Sequence, residues 1–194
     1  MSKNSNLGQF KHLNYKKFRA MAANKSLSKY EKIGFPDDYR KSYERNILAD
    51  IKNKLTLLNT KSKSILDIGA GCSELPLMLI ELCQKKNHQL TFVDSKEMLA
   101  LLPEAKNVKK VAGMFPNNFS KVCDIVDNKV DVIICYSVLH YIFVDGDFWK
   151  FIDLSLSLLR DGGQMLLGDI PNNSMRNRFF SSMNGKAFHK SFMK

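Results

Sequence analysis

One alternation constrains the fold more than any other feature of this sequence. Between residues 64 and 171, short apolar runs are separated by longer stretches with helical spacing. Segments 64–68, 89–93, 108–112, 130–135 and 164–167 read as strands, each too short for a helix and most flanked by Gly, Asp or Asn. Segments 74–84, 96–102 and 148–159 read as helices, and Pro76 falls in the first turn of its helix, where it is tolerated. Asp161-Gly162-Gly163 reads as the stop that closes the last of them. Strands that are apolar along their whole length must be covered on both faces. The expected fold class is therefore α/β, a doubly wound and mostly parallel sheet between two helical layers.

Before residue 64 the pattern differs. Residues 1–36 are rich in Lys, Asn and Ser and predict a loose tail with one or two short helices. Pro36-Asp37-Asp38 marks a firmer helix start, since Pro and acids both favour a first turn. Ile47, Leu48, Ile51, Leu55 and Leu58 then recur at spacings of three and four, which predicts one amphipathic helix through residue 58.

Charge divides the chain in the same places. The net formal charge of +11 is +10 over residues 1–63, −4 over 64–171 and +5 over 172–194. A uniform basic coat for nucleic acid does not fit that distribution. A core that attracts a cation, between flanks that attract anions, fits it better. Cys72, Cys83, Cys123 and Cys135 form no CxxC pair, so they read as reduced thiols, with no metal site, in a cytoplasmic protein. The N-terminal stretch lacks the apolar segment of a secretory signal. The longest apolar run, 132–144, falls short of the ~18 residues of a membrane-spanning helix.

Ligands of an open parallel sheet bind beyond the carboxyl ends of its strands. Here those positions hold Asp67-Ile68-Gly69-Ala70-Gly71-Cys72, Asp94-Ser95, Gly113-Met114-Phe115, Tyr136-Ser137 and Asp169-Ile170-Pro171. Gly69 and Gly71 permit positive φ and close backbone approach. The dinucleotide fingerprint wants a third Gly where this chain has Glu74, and a carboxylate there opposes a pyrophosphate. Asp94 suits a bidentate contact to two ribose hydroxyls. Asp67, the glycine turn and Asp94 thus describe a nucleoside ligand without a phosphate.

The stretch ILDIGAGCSELPLML, followed by TFVDS, VAGMF, DVIICYSVLHYI and LLRDGGQMLLGDI, resembles class I S-adenosylmethionine-dependent methyltransferases over residues 64–171. The resemblance implies a Rossmann-like sheet of strand order 3-2-1-4-5 and S-adenosylmethionine as cofactor. It implies that Asp67 faces the methionyl amino group and that Gly69, Ala70 and Gly71 admit the methionine moiety. It places Asp94 on the ribose, Ser95 beside the adenosine, Met114 and Phe115 against the adenine, and Tyr136 and Ser137 at the sulfonium side and substrate mouth. Where the family often has an adenine-binding acid, this chain has Met114. The family's sixth and seventh strands have no counterpart, because the chain stops about 25 residues after Asp169. A fragment, a partner that covers the exposed edge of the fifth strand, or a shortened variant of the fold would each explain this, and a fragment is the favoured expectation.

His140 and Tyr141, just after the fourth strand, are the candidate catalytic residues, His140 as a base for a weakly nucleophilic acceptor. Cys72 with His140 lacks the third group of a nucleophilic triad and reads as packing. The flanks around residues 34–36 and 168–172 are similar to those of bacterial methyltransferases of surface polysaccharide synthesis. That similarity implies a small or carbohydrate-like, anionic acceptor. RNA is the less favoured partner, suggested by charge and by Lys16, Lys17 and Arg19 interleaved with Tyr15 and Phe18. A third reading is a non-catalytic scaffold subunit. The expected organisation is a basic helical extension or lid over 1–63, a cofactor domain over 64–171 and a basic segment over 172–194.

Overall fold

The computed structural model describes residue 10 and residues 12–192. Of the loose tail with short helices expected over 1–36, residues 1–9 and 11 lie outside the described residues, as do residues 193–194. Five strands form one parallel sheet of order β3-β2-β1-β4-β5: β1 Ser64–Ile68, β2 Gln89–Asp94, β3 Val108–Ala112, β4 Val130–Tyr136 and β5 Leu159–Gly168. Each crossover carries helix: α5 Glu74–Lys86, α6 Lys96–Leu99, α7 Phe119–Val126, then α8 Leu139–Asp145 and α9 Phe148–Ser157. Ahead of β1 lie α1 Tyr15–Ala23, α2 Lys29–Lys32, α3 Asp37–Arg40, α4 Glu44–Lys54 and a 3-10 turn Thr56–Asn59. After β5, α10 Asn173–Ser181 and α11 Met183–Phe192 form a helical hairpin.

Successive strand residues feed opposite cores, as the two-residue period of a strand requires. Ile65, Val132 and Ile134 pack with Ile51, Leu55 and Leu79 on one face. Leu66, Ile133 and Cys135 pack with Val122, Val126 and Phe151 on the other. Both cores are fully buried, so the apolar character of β1 and β4 follows from their position at the centre of the sheet.

Two elements depart from expectation. The single helix foreseen from Asp37 to Leu58 is broken, because Ser42 takes φ +73° and starts a fresh helix at Glu44. The break separates Arg40 from Glu44 while leaving both buried. At the other end, α9 stops at Ser157, and the Asp161-Gly162-Gly163 stretch lies inside a longer β5. Gly162 has φ +74°, and the ladder with β4 shifts register between Val130 and Val132, so the glycines serve a strand irregularity there. Among the described residues no strand pairs with the outer side of β5, and no helix is long and apolar enough to cross a membrane.

Candidate functional site

A cavity of roughly 280 Å³ opens at the carboxyl ends of the strands. Its floor is the turn after β1. Gly69 has φ +78° and Gly71 φ +68°, and a Cβ would come within 2.4 Å of Val138 Cγ2 at the first and 2.8 Å of Ile33 Cγ2 at the second. Glycine is required at both positions by conformation and by space.

Asp94, at the tip of β2, organises this floor. Its Oδ2 accepts from the Gly71 backbone N–H at 3.0 Å and its Oδ1 from the Ser95 N–H at 2.6 Å. Burial pushes the Asp94 carboxyl above its ordinary pKa, while those two backbone donors pull it back. A carboxylate offers about four lone-pair directions, so these bonds leave part of its capacity for a ligand. Asp67, at the end of β1, lies deeper. Burial, with the Asp94 charge beside it, pushes its carboxyl up to about 8. A cationic group brought to Asp67 would hold it ionised.

The N-terminus of α5 disfavours a phosphate. Glu44, fully buried on α4, accepts the Leu75 backbone N–H, and Glu74 stands in the same first turn. Carboxylates already hold the positive end of the helix, where a pyrophosphate would have to lie. The residues therefore fit a nucleoside with a cationic tail, and S-adenosylmethionine has that chemistry.

Of the residues expected at the site, Asp67, Gly69, Ala70, Gly71, Asp94, Met114, Phe115, Tyr136, Ser137 and Tyr141 all line the cavity. Ser95 does not line it. It caps α6, its Oγ accepting from Met98 N at 3.2 Å, and steadies Asp94 through the backbone. His140 also lies off the cavity wall. Consecutive helix residues point about 100° apart, so α8 turns Tyr141 inward and His140 aside. The His140 ring rests on Tyr141 at 4.0 Å, and its Nδ1 is buried with no hydrogen-bond partner among the described residues. Burial lowers the His140 pKa and raises that of Tyr141, with the Asp169 charge adding to the rise of Tyr141.

The far side of the cavity is organised by Arg40, to which no local sequence pattern assigns a role. Arg40, nearly buried, stacks on Phe35 at 4.7 Å and Tyr136 at 5.5 Å. Its Nε donates to Glu44 Oε1 at 3.2 Å, and its Nη1 reaches Ser137 Oγ at 3.3 Å and Asp169 Oδ2 at 3.4 Å. Ser137 Oγ also donates to Asp169 Oδ2. Both residues take left-handed backbone, φ +61° and +55°, which costs free energy without glycine and is typical of functional loops. Tyr15, Phe18, Ile33 and Phe35 complete the roof. Phe18 meets Tyr141 edge-on at 5.0 Å. The two aromatic residues of the basic stretch thus turn into the cavity, away from exposed Lys16 and Lys17. Arg19 and Lys29 pin this roof outside the cavity, to Glu97 at 2.6 Å and Glu74 at 2.7 Å. The turn residues carry a local sequence signal, whereas Arg40 meets its partners across 97 and 129 positions.

Residues 66–167 match the methyltransferase domain family, and the chain belongs to it. S-adenosylmethionine is the cofactor of this class. The sheet order and helix placement are likewise those of class I methyltransferases. The plantazolicin methyltransferase BpumL, solved with a desmethylPZN analog and S-adenosylhomocysteine, superposes with TM-score 0.57 at 18% identity, covering 90% of this chain and 68% of its own. The N-methyltransferase NodS from Bradyrhizobium japonicum WM9, in complex with S-adenosylhomocysteine, gives 0.54 at 18%, covering 78% and 70%. Precorrin-6y C5,15-methyltransferase from Geobacter metallireducens GS-15 gives 0.50 at 17%, covering 69% and 66%. The chain thus spans about two thirds of the length of these three proteins. At such identities the likeness shows the fold alone. No curated protein matches the chain in sequence.

Proposed function

We propose that the chain transfers the methyl group of S-adenosylmethionine to a small, carbohydrate-like acceptor. When bound, the cofactor supplies a methyl group on a sulfonium, open to in-line displacement. Asp94 would hold the ribose hydroxyls with its remaining lone-pair capacity. Asp67 would meet the cationic methionyl end, and the glycine turn would let the backbone close on it. Met114 and Phe115 would pack the adenine. Tyr136, Ser137 and Tyr141 would face the acceptor, with Tyr141 better sited than His140 to touch it. Positioning carries most of the rate in such a reaction. The observation that carries the reading is the Asp94 carboxylate, tied at once to Gly71 and Ser95 at the cavity floor.

Residues 64–171 would form the cofactor domain, the described part of 1–63 its lid, and 172–194 a basic flank on the acceptor side. The half-exposed β5 edge would receive a partner chain. Four free thiols favour the cytoplasm. Asp145 and Asp147 at the cavity rim, against Lys150, favour a hydroxyl-rich acceptor over a strongly anionic one. RNA has only the basic flanks in its support, because Tyr15 and Phe18 are committed to the cavity roof.

Thermal melting tests the proposal. S-adenosylmethionine and S-adenosylhomocysteine, at millimolar concentration, should each raise Tm, as native-state ligands do. A folded chain whose Tm moves with neither has lost this function. Binding of single-stranded RNA that weakens steeply with salt would favour the RNA reading instead.

A further inference from the structure

The corner between α8 and α9 carries an apolar surface that the cofactor site leaves unused. Trp149 is 72% exposed and Phe143 70% exposed. They are joined through Phe148, with ring centroids 5.6 Å from Phe143 to Phe148 and 5.0 Å from Phe148 to Trp149. Rings this exposed, set edge to face in a row, usually mark a binding surface. The residues between and beside them, Asp145, Asp147 and Lys150, line the cavity rim. The aromatic row thus alternates along the chain with residues that line the cavity. Its charges are of both signs with acids in excess, which opposes a phosphate polyanion or an anionic lipid surface.

We infer that Phe143 and Trp149 form a shelf for a saccharide ring of the acceptor. A pyranose has an apolar C–H face and a rim of hydroxyls. The aromatic faces would take the first, and Asp145, Asp147 and Lys150 the second, as carboxylates accept and an ammonium donates. This rests on the proposed methyl transfer and names the residues that would recognise its carbohydrate-like acceptor. It also assigns specificity to residues outside the cofactor pocket.

Trp149 is the sole tryptophan of the chain, so its emission reports on the shelf alone. The full chain, loaded with S-adenosylhomocysteine, is titrated with a panel of methyl glycosides, oligosaccharides and nucleotide sugars while emission is followed. A saturable blue shift or quench is expected with at least one of them. Phe143→Ser, which keeps the reporter, should weaken that ligand about tenfold and leave the Tm rise by S-adenosylhomocysteine unchanged. If no saccharide alters the emission, or if Phe143→Ser binds it as well as wild type, the shelf is refuted. So it is if the emission responds instead to anionic vesicles or to protein concentration, which would assign the surface to a membrane or to a second copy. Should S-adenosylhomocysteine itself fail to raise Tm, the methyltransferase reading falls, and that failure is distinct from a silent shelf.

Discussion

The two halves of the cavity are built by different means. At the ends of β1, β2 and β3 the site is made from backbone: two left-handed glycines, a turn, and the Asp94 carboxylate bonded to main-chain N–H groups. At the ends of β4 and β5 it is made from side chains that arrive from far away in sequence, with Arg40 joining Glu44, Ser137 and Asp169. Backbone sites hold a constant ligand. Side-chain sites can vary with little cost to the fold. In the proposed reading the first half would hold the cofactor and the second would set the specificity for the acceptor.

Glu44 is where the halves meet, since it caps α5 and also pairs with Arg40. Glu44→Ala strips a buried partner from a nearly buried guanidinium and uncaps a helix. Breaking such a pair costs about 3–5 kcal/mol, so denaturant unfolding should lose stability of that size. A loss under ~1 kcal/mol would mean that the halves are independent.

Asp94→Ala acts on the cofactor half alone. Removing a carboxylate that offers two charge-assisted bonds should weaken S-adenosylhomocysteine by about 100-fold or more, read by calorimetry, and abolish its Tm rise. An unchanged affinity would remove Asp94 from the ribose.

Asp67 sharpens the same half through pH. Its folded-state pKa, raised to about 8, lies far above the unfolded carboxylate value of 3.8. Between these values the folded chain binds the extra proton, so its stability falls as pH rises. The slope approaches about 1.4 kcal/mol per pH unit in mid-window. Asp67→Asn should flatten that fall relative to wild type between pH 5 and 7. Binding of the cationic cofactor should run the other way and strengthen as pH rises toward 8. Parallel stability profiles for the two proteins would rule out the buried, protonated acid.

Lys29→Ala removes one of the outer pins of the roof. That ion pair is half exposed on both sides, so stability should change by less than ~0.5 kcal/mol, with no change left at high salt. A larger loss would make the roof a rigid part of the fold.

The same contrast explains what could be read before the structure. The strands were legible because central parallel strands are apolar on both faces, and Asp67, the glycine turn and Asp94 because their geometry is local. Three features were not. Ser42 breaks the helix before β1 with a left-handed backbone that serine does not announce. The amphipathic run over α7 went unread for want of a strong start signal. Arg40 carries no local signal, because its partners Ser137 and Asp169 lie 97 and 129 positions away. His140 illustrates the limit of sequence adjacency, since one helical step separates it from the cavity that Tyr141 lines.

The most direct test is calorimetric titration of the wild-type chain with S-adenosylhomocysteine. The account predicts saturable one-to-one binding. A folded chain that gives no binding heat and no rise in Tm at millimolar ligand would contradict it.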